Sequence, residues 1–310
     1  MTDPDLWVEL CGVHLRNPLV LAAGILGTGA ELLARVAGSG AGMVTTKSCG
    51  SSPRAGHANP TVLDWGHGLI NAVGLANPGV EEEVRIIAWA KEMLDPLGVP
   101  LAASIFAETW GGFAEVARKV AEAQPDFIEL NISCPNVSHE FGWPFACDAG
   151  DAARVTAAVK EITSIPIIVK LSPNVTDIAL IARSVEQAGA DAIAAINTLG
   201  PGMIIDVYSG QPVLANKVGG VSGPAIRPIA VRCVYDIYEA VEIPIIGIGG
   251  IGDGRGALEM VMAGATAVGV GSAVRYRGVE VFQTILEEMR AFMIEEGHTS
   301  LTHLRGIAHR

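Results

Sequence analysis

The sequence predicts an α/β fold, a (β/α)8 TIM barrel, and three observations carry that expectation. Short apolar runs rich in Val, Ile, Leu and Ala recur eight times, at residues 19–24, 42–47, 100–106, 127–133, 166–172, 192–198, 244–250 and 267–272. None alternates cleanly between apolar and polar residues, as expected of parallel strands covered on both faces. Amphipathic helical patterns separate the runs, and eight alternating units favour a closed barrel over an open doubly wound sheet. Periodicity alone does not show closure, so the open sheet stays the competing architecture at this level.

Residues 1–310 are expected to form one such domain, for which the length suffices. With 50% hydrophobic residues, 37 glycines and only 17% charged residues, the chain suits a buried sheet with tight loops and not disorder. A net charge of -12, a pI ≈ 5.0 and the lack of a basic run argue against a nucleic-acid partner. Asp3 and Asp5 near the start, with neither a basic nor an apolar leader, argue against secretion. No apolar stretch reaches about 18 residues, so a cytoplasmic protein without a membrane span is expected. Cys11, Cys49, Cys134, Cys147 and Cys233 are scattered, without the close pairing of a zinc or iron–sulfur site. They read as reduced thiols. No metal-ligand spacing joins His57, His67, His139, His298, His303 and His309, and no metal is expected.

In chain order, residues 7–17 alternate loosely about Gly12 and read as a hairpin ahead of the barrel. Helical stripes follow at Phe113, Val116, Val120 and Ala123, at Ile178, Ile181, Val185 and Ala188, and at Phe282, Ile285, Met289 and Phe292. Gly189 reads as the residue after a helix end, Ser222 as an N-cap and Pro224 as an early helical proline. Three connections, 48–79, 134–150 and 199–223, are longer than packing needs. All follow strands and should gather on one face. Residues 209–223, rich in Gly, Pro and Asn, are expected to form a mobile lid over it.

Chemistry is expected at Asn131-Ile132-Ser133-Cys134-Pro135-Asn136, directly after the fourth run. The carboxyl end of a barrel strand faces the active site. Pro135 removes a backbone donor and biases Cys134 away from helical geometry, so the thiol belongs on a loop. A lone cysteine is more often an inert core thiol; the concentration of polar groups around this one favours a reactive reading. Gly247-Ile248-Gly249-Gly250, Gly252-Asp253-Gly254 and Gly269-Val270-Gly271-Ser272 end the last two strands, where backbone amides in such barrels bind a phosphate. Neither lies in a Walker or Rossmann context, which favours a monophosphate cofactor over a triphosphate or dinucleotide. Lys47 and Lys170 lie near strand ends and must enter a polar cavity, find a partner or snorkel to the rim. Two above one cavity would suit an anionic group. Asn71, Asn131, Asn136 and Asn197 could read a ring carrying N–H and C=O groups, although asparagines are also common in turns.

Four motifs, Asn131-Ile132-Ser133-Cys134-Pro135-Asn136-Val137, Val169-Lys170-Leu171-Ser172-Pro173-Asn174, Asn71-Ala72-Val73-Gly74-Leu75-Ala76-Asn77-Pro78-Gly79 and Ser222-Gly223-Pro224-Ala225-Ile226, resemble the dihydroorotate dehydrogenase family over about residues 8–282. The cysteine marks class 1, and the wording is most similar to class 1B catalytic subunits. The resemblance implies a barrel that holds FMN at the carboxyl ends of its strands and oxidises dihydroorotate to orotate in pyrimidine synthesis. It implies Cys134 as the general base at substrate C5, with hydride passing from C6 to flavin N5. A thiol with an ordinary pKa of about 8.5 can be tuned to this task.

The same resemblance implies a substrate site of Lys47, Asn71, Gly74, Leu75, Asn131, Asn136, Asn197 and Thr198. It assigns FMN to Ala23, Gly24, Lys47, Ser48, Ser104, Asn131, Lys170, Ile196, Gly223, Gly249, Gly250, Gly271 and Ser272. Lys170 would face the flavin's pyrimidine end, where reduction builds negative charge. Class 1B implies a homodimer joined in a heterotetramer by subunits carrying FAD and a 2Fe–2S cluster, which pass electrons to NAD. This chain has no cluster motif, in agreement with that division. Three departures stand out: Ser104 where some members carry Asn, Ala23 where others carry Ser, and a slightly longer loop at residues 138–144. The alternatives are a class 1A homodimer reoxidised by fumarate, a flavin barrel acting on uracil-type bases, and a flavin-free phosphate-binding isomerase or aldolase using Lys170.

Overall fold

The computed structural model describes residues 4–133 and 145–310. Eight parallel strands close on themselves: β1 (Leu19–Leu21), β2 (Met43–Thr45), β3 (Leu101–Ile105), β4 (Phe127–Asn131), β5 (Ile167–Leu171), β6 (Ala192–Ala195), β7 (Ile245–Ile248) and β8 (Ala267–Val270). Closure is made where β8 pairs β1, with Gly269 opposite Val20. Each paired strand lies inside one of the eight apolar runs, and the residues beyond the pairing turn toward a cavity described below. The open-sheet alternative is excluded.

Among the described residues, each strand is followed by a principal helix: α1 (Ala30–Gly38), α2 (Val80–Leu94), α3 (Trp110–Ala121), α4 (Ala149–Lys160), α5 (Ile178–Gln187), α6 (Arg227–Tyr238), α7 (Gly254–Met262) and α8 (Val281–Glu295), with short helices at Ala273–Arg277 and Leu301–Leu304 flanking the last. Their apolar stripes bury against the strands, as in Phe113, Val116 and Val120 of α3 and Phe282, Ile285 and Met289 of α8. Ala123 lies just past the end of α3, and Ala188 is the C-cap of α5. Gly189 follows that cap with φ +99°. Asp148, Asp177 and Asp253 cap α4, α5 and α7 by accepting a backbone N–H in the first turn. Among the described residues, no helix is long and apolar enough to cross a membrane.

The barrel interior is layered, because alternate residues of a strand point inward. Val20, Met43, Ala102, Phe127, Ile168, Ala194, Ile246 and Ala267 share one apolar cluster with Leu10 and Leu15. The last two belong to the hairpin Val8–Leu10/Val13–Leu15, whose fully buried leucines stopper the floor. Two residues further along β3, β4 and β5 come Ser104, Glu129 and Lys170, so the next layer is polar.

Two long connections meet above the barrel. Leu199–Gly202, Gly219–Ser222, Leu69–Asn71 and Val62–Asp64 form a four-stranded antiparallel sheet in that order. Residues 209–223, expected to be a lid, are thus partly strand, with a second small hairpin at Ile205–Asp206/Gln211–Pro212. Ser222 is correspondingly not an N-cap. It ends a strand, and Gly223 caps the 3-10 turn Pro224–Ile226 that leads into α6. Gly223 has φ +92°, and a Cβ there would lie 2.9 Å from Gly68 Cα, so a side chain is excluded twice over.

The sheet floor uses one device twice. Asp126, before β4, accepts from Lys91 Nζ of α2 (3.0 and 2.9 Å) and from Leu101 N, the first N–H of β3 (2.8 Å). Asp191, before β6, accepts from Lys160 Nζ of α4 (2.8 and 2.7 Å) and from Ile167 N of β5 (2.8 Å). Each carboxylate ties a helix to two neighbouring strands. Asp191→Ala is expected to cost about 1–3 kcal/mol, chiefly through the stranded Ile167 N–H, and urea unfolding of the two proteins measures it.

Candidate active site

At the carboxyl ends of the strands lies a cavity of about 240 Å³. Its wall carries Ala23, Gly24, Lys47, Ser48, Asn71, Gly74, Leu75, Asn131, Lys170, Ile196, Asn197, Thr198, Gly223, Gly249, Gly250, Gly271 and Ser272. Residues separated by up to 249 positions therefore converge as the sequence reading expects. Cys134 and Asn136 lie outside the described residues. Ser104 is placed differently: fully buried, it stands behind Ser48 and does not line the cavity. Val62, Leu69, Ser222 and Ile226 also line it. Sequence reasoning missed the first two because Val62 and Leu69 join the site only through the loop-borne sheet.

Local pairing explains how the side chains are presented. Beyond β2 the chain keeps bonding to β3 through Thr46 N to Ala102 O (2.9 Å) and Cys49 N to Ser104 O (3.0 Å), which holds Lys47 and Ser48 between fixed anchors. Beyond β6, Ile196 N donates to Ile248 O (2.8 Å) and Asn197 N to Leu171 O (2.9 Å), suspending this segment between β5 and β7. Asn174 completes it, accepting from Gly200 N (2.9 Å) and donating to Thr198 O (3.4 Å). The loop from Asn71 is knitted by buried Asn77, which accepts from Gly79 N (2.8 Å) and donates to Leu75 O (2.8 Å). Asn71 Nδ2 donates to Gly220 O (3.3 Å). A Cβ on Gly220 would stand 2.1 Å from Thr198 Oγ1, so only glycine lets this strand press on both Asn71 and Thr198.

Beneath the cavity runs a directed hydrogen-bond column. Ser104 Oγ donates to Glu129 Oε1 (2.9 Å), so its lone pairs are left to receive Ser48 Oγ (2.8 Å). Ser48 in turn accepts from Asn131 Nδ2 (3.1 Å). A carboxylate only accepts, and that fixes every donor above it. Asn131 Oδ1 is thereby turned toward Asn197 Nδ2 (3.4 Å) and Ser133 Oγ (3.4 Å), while Asn197 Nδ2 also donates to Ser133 Oγ (2.8 Å). Asn197 Oδ1 accepts from Thr198 N (2.8 Å). Lys170 Nζ stands 3.6 Å from Glu129 Oε1, with both side chains almost wholly buried. Glu129 was legible as a lone charge inside an apolar run; its partners were not.

The described wall offers two lysines and several amides, but no carboxylate, imidazole or thiol. Such a lining favours an anionic, hydrogen-bonding occupant. FMN fits these residues. Among the described residues, the N–H groups of Gly250, Gly271 and Ser272 make no backbone hydrogen bond, leaving donors for a phosphate. A Cβ at Gly271 would meet nothing closer than 3.7 Å, and one at Gly24 nothing closer than Lys47 Nζ at 3.9 Å. Both glycines open onto the cavity. Among the described residues, no cluster could hold a metal ion.

One further acid went unnoticed in the sequence. Glu83, in the first turn of α2, is 1% exposed, and neither carboxylate oxygen has a hydrogen-bond partner among the described residues. Its neighbours Glu81 and Glu82 disguise it as part of a solvated acidic run, yet it falls on the buried stripe Val80, Ile87, Ala90, Leu94. Burial pushes its carboxyl up to about 7, with Glu82 adding to the rise; the nearby Thr46 hydroxyl and Lys47 ammonium oppose it. Thr46 Oγ1 itself donates to Lys47 O (3.3 Å).

A family model described as dihydroorotate dehydrogenase matches residues 5–293. The chain is 47% identical over 307 residues to a protein of Methanothermobacter thermautotrophicus, covering 98% of each. It is 46% identical over 305 residues to one of Methanosarcina mazei, covering 98% of this chain and 95% of that one. It is 45% identical over 309 residues to one of Methanocaldococcus jannaschii, covering both fully. All three are named dihydroorotate dehydrogenase B (NAD(+)), catalytic subunit.

The Glu83 carboxyl yields a stability prediction with a definite sign. Between the ordinary value of 4.5 and about 7 the native state holds a proton that the unfolded chain has released, so stability falls as pH rises through this window. Relative to Glu83→Gln, the wild type should lose roughly 3 kcal/mol from pH 4.5 to 7 and show no further divergence above it. Denaturant titrations of both proteins at pH 5 and pH 8 check this; a constant difference would contradict it.

Proposed function

Because the chain belongs to the dihydroorotate dehydrogenase family, we propose that its cavity takes FMN and dihydroorotate together and that the protein oxidises dihydroorotate to orotate in pyrimidine synthesis. The observation that carries this is the single wall on which Lys47, Lys170, Asn71, Asn131 and Asn197 converge without a carboxylate. When bound, FMN supplies the acceptor for the hydride that leaves the substrate.

The chain's own residues divide the remaining work. Cys134 takes the proton from substrate C5. It follows Ser133, which is tied to Asn197, and no other base stands on the described wall. Asn71, Asn131, Asn136 and Asn197 hold the ring and its carboxylate, with Thr198, Gly74 and Leu75 beside them. Lys47 places a positive charge near both ligands. Lys170, braced by Glu129, holds positive charge toward the flavin's pyrimidine end. Gly223, Gly249, Gly250, Gly271 and Ser272 receive the phosphate, while Ala23, Gly24, Ser48 and Ile196 complete the flavin's bed. Ser104 acts one layer below, by orienting Ser48.

The relatives' names support a class 1B catalytic subunit. The partner is then an iron–sulfur FAD subunit that delivers electrons to NAD, assembled on a homodimer of this chain as a heterotetramer. Copurification with such a flavoprotein supports this reading, whereas fumarate-driven turnover by the isolated chain would favour the class 1A arrangement.

Anaerobic mixing of purified protein with dihydroorotate should bleach the flavin band; no flavin, or no bleaching, would overturn the reading. Cys134→Ser is expected to slow that bleaching at neutral pH about 100-fold or more while flavin stays bound. An unchanged stopped-flow rate would remove Cys134 as the base. Lys170→Ala strands Glu129 without its cation and should lower flavin content or the rate of reduction; normal values for both would count against its role.

A further inference from the structure

Glu83 occupies a position where an apolar side chain would continue the stripe of α2, and it is buried there with two unpartnered oxygens among the described residues. Leaving a carboxyl in that condition is costly. The groups that act on it or feel its charge belong to the segment after β2: Thr46, fully buried; Lys47, which lines the cavity; and Cys49, whose thiol is pushed up by burial and by the charge of Glu83. Glu82 is the charge acting on it from its own helix. The elements α1, α3 and β3 pack against α2, and none supplies a charge among the principal influences on Glu83. The cation among those influences, Lys47, is therefore one of the two that line the cavity.

We propose that Glu83 is a positioning residue that couples the Lys47 ammonium to the proton: an anion bound at Lys47 favours the neutral form of Glu83, so ligand binding at this wall takes up a proton from solution. The ionised form of Glu83 offsets the positive potential of Lys47 in the cavity, and the neutral form leaves it whole. Coupling of this kind is reciprocal. The anion raises the proton affinity of Glu83, and the proton raises the affinity for the anion. Glu83 keeps a charge state near balance at neutral pH, which is where such coupling is felt. Thr46, the chain neighbour of Lys47, donates its hydroxyl to Lys47 O at 3.3 Å and is, like Lys47, one of the groups that act on Glu83.

The inference rests on reading the cavity as the orotate and flavin site, and its test separates the two. Orotate binding to the flavin-loaded protein is followed calorimetrically near pH 7.5 in phosphate and in Tris, whose ionisation enthalpies differ, so that proton uptake appears as a buffer-dependent heat. The wild type should take up a measurable fraction of a proton, and its affinity should weaken at least about fivefold from pH 6.5 to pH 8. Glu83→Gln should bind orotate without that uptake and with a flatter pH dependence. Glu83→Leu, which fills the apolar stripe, is the second variant and should behave like Glu83→Gln. Equal proton uptake in wild type and variant overturns the inference and leaves the substrate reading intact. Absence of uptake in the wild type overturns it whatever the variants do. Failure of the wild type to bind orotate at all overturns both.

Discussion

One buried carboxylate governs the interior of this barrel. Glu129 stands where β4 passes from an apolar layer to the cavity, in surroundings too dry to leave a charge unattended. It is met by Lys170 from the next strand and Ser104 from the previous one. Each of those commitments propagates. Ser104, having given its proton to Glu129, must receive one from Ser48, and Ser48 from Asn131. The orientation of the Asn131 amide at the cavity wall is thus decided two layers below it. The wall is preorganised because its hydrogen-bond directions are inherited from a group no ligand touches.

A second consequence concerns charge. Lys170 is held beside a carboxylate, whereas Lys47 is influenced by an acid that burial keeps near half ionisation at neutral pH. Two cations on one wall therefore differ in kind. Lys170 is a fixed electrostatic feature, suited to charge that develops in place. Lys47 answers to the proton activity of the medium, suited to ligands that arrive and leave as anions.

The barrel was legible because strands buried on both faces must be apolar throughout, and that constraint leaves eight unmistakable runs. The runs overreach the paired strands at their carboxyl ends because residues such as Gly24, Lys47, Asn197 and Thr198 leave the ladder to line the cavity. The cavity residues themselves were found through motif wording, with Ser104 set one layer too high because nothing local reveals that Ser48 stands in front of it. Ser222 was misread as a helix cap for a different reason. Its strand partner, Leu69, lies some 150 residues away, and turn chemistry alone cannot announce such pairing. Glu83 escaped notice because three consecutive acids suggest a solvated surface, and only the 3.6-residue period separates the buried one from its neighbours.

The antiparallel sheet above the barrel joins Asn71 to Gly220, residues 149 positions apart. Synthesis runs from the amino end, so the nascent chain carries Asn71 long before the strand that braces it exists. Until residues 219–222 emerge, the roof over the cavity has no central rib, and the cavity wall that follows β7 and β8 is also still unmade. The cavity is therefore complete only once nearly the whole barrel has been made, so its wall is a product of closure rather than a nucleus around which the barrel gathers.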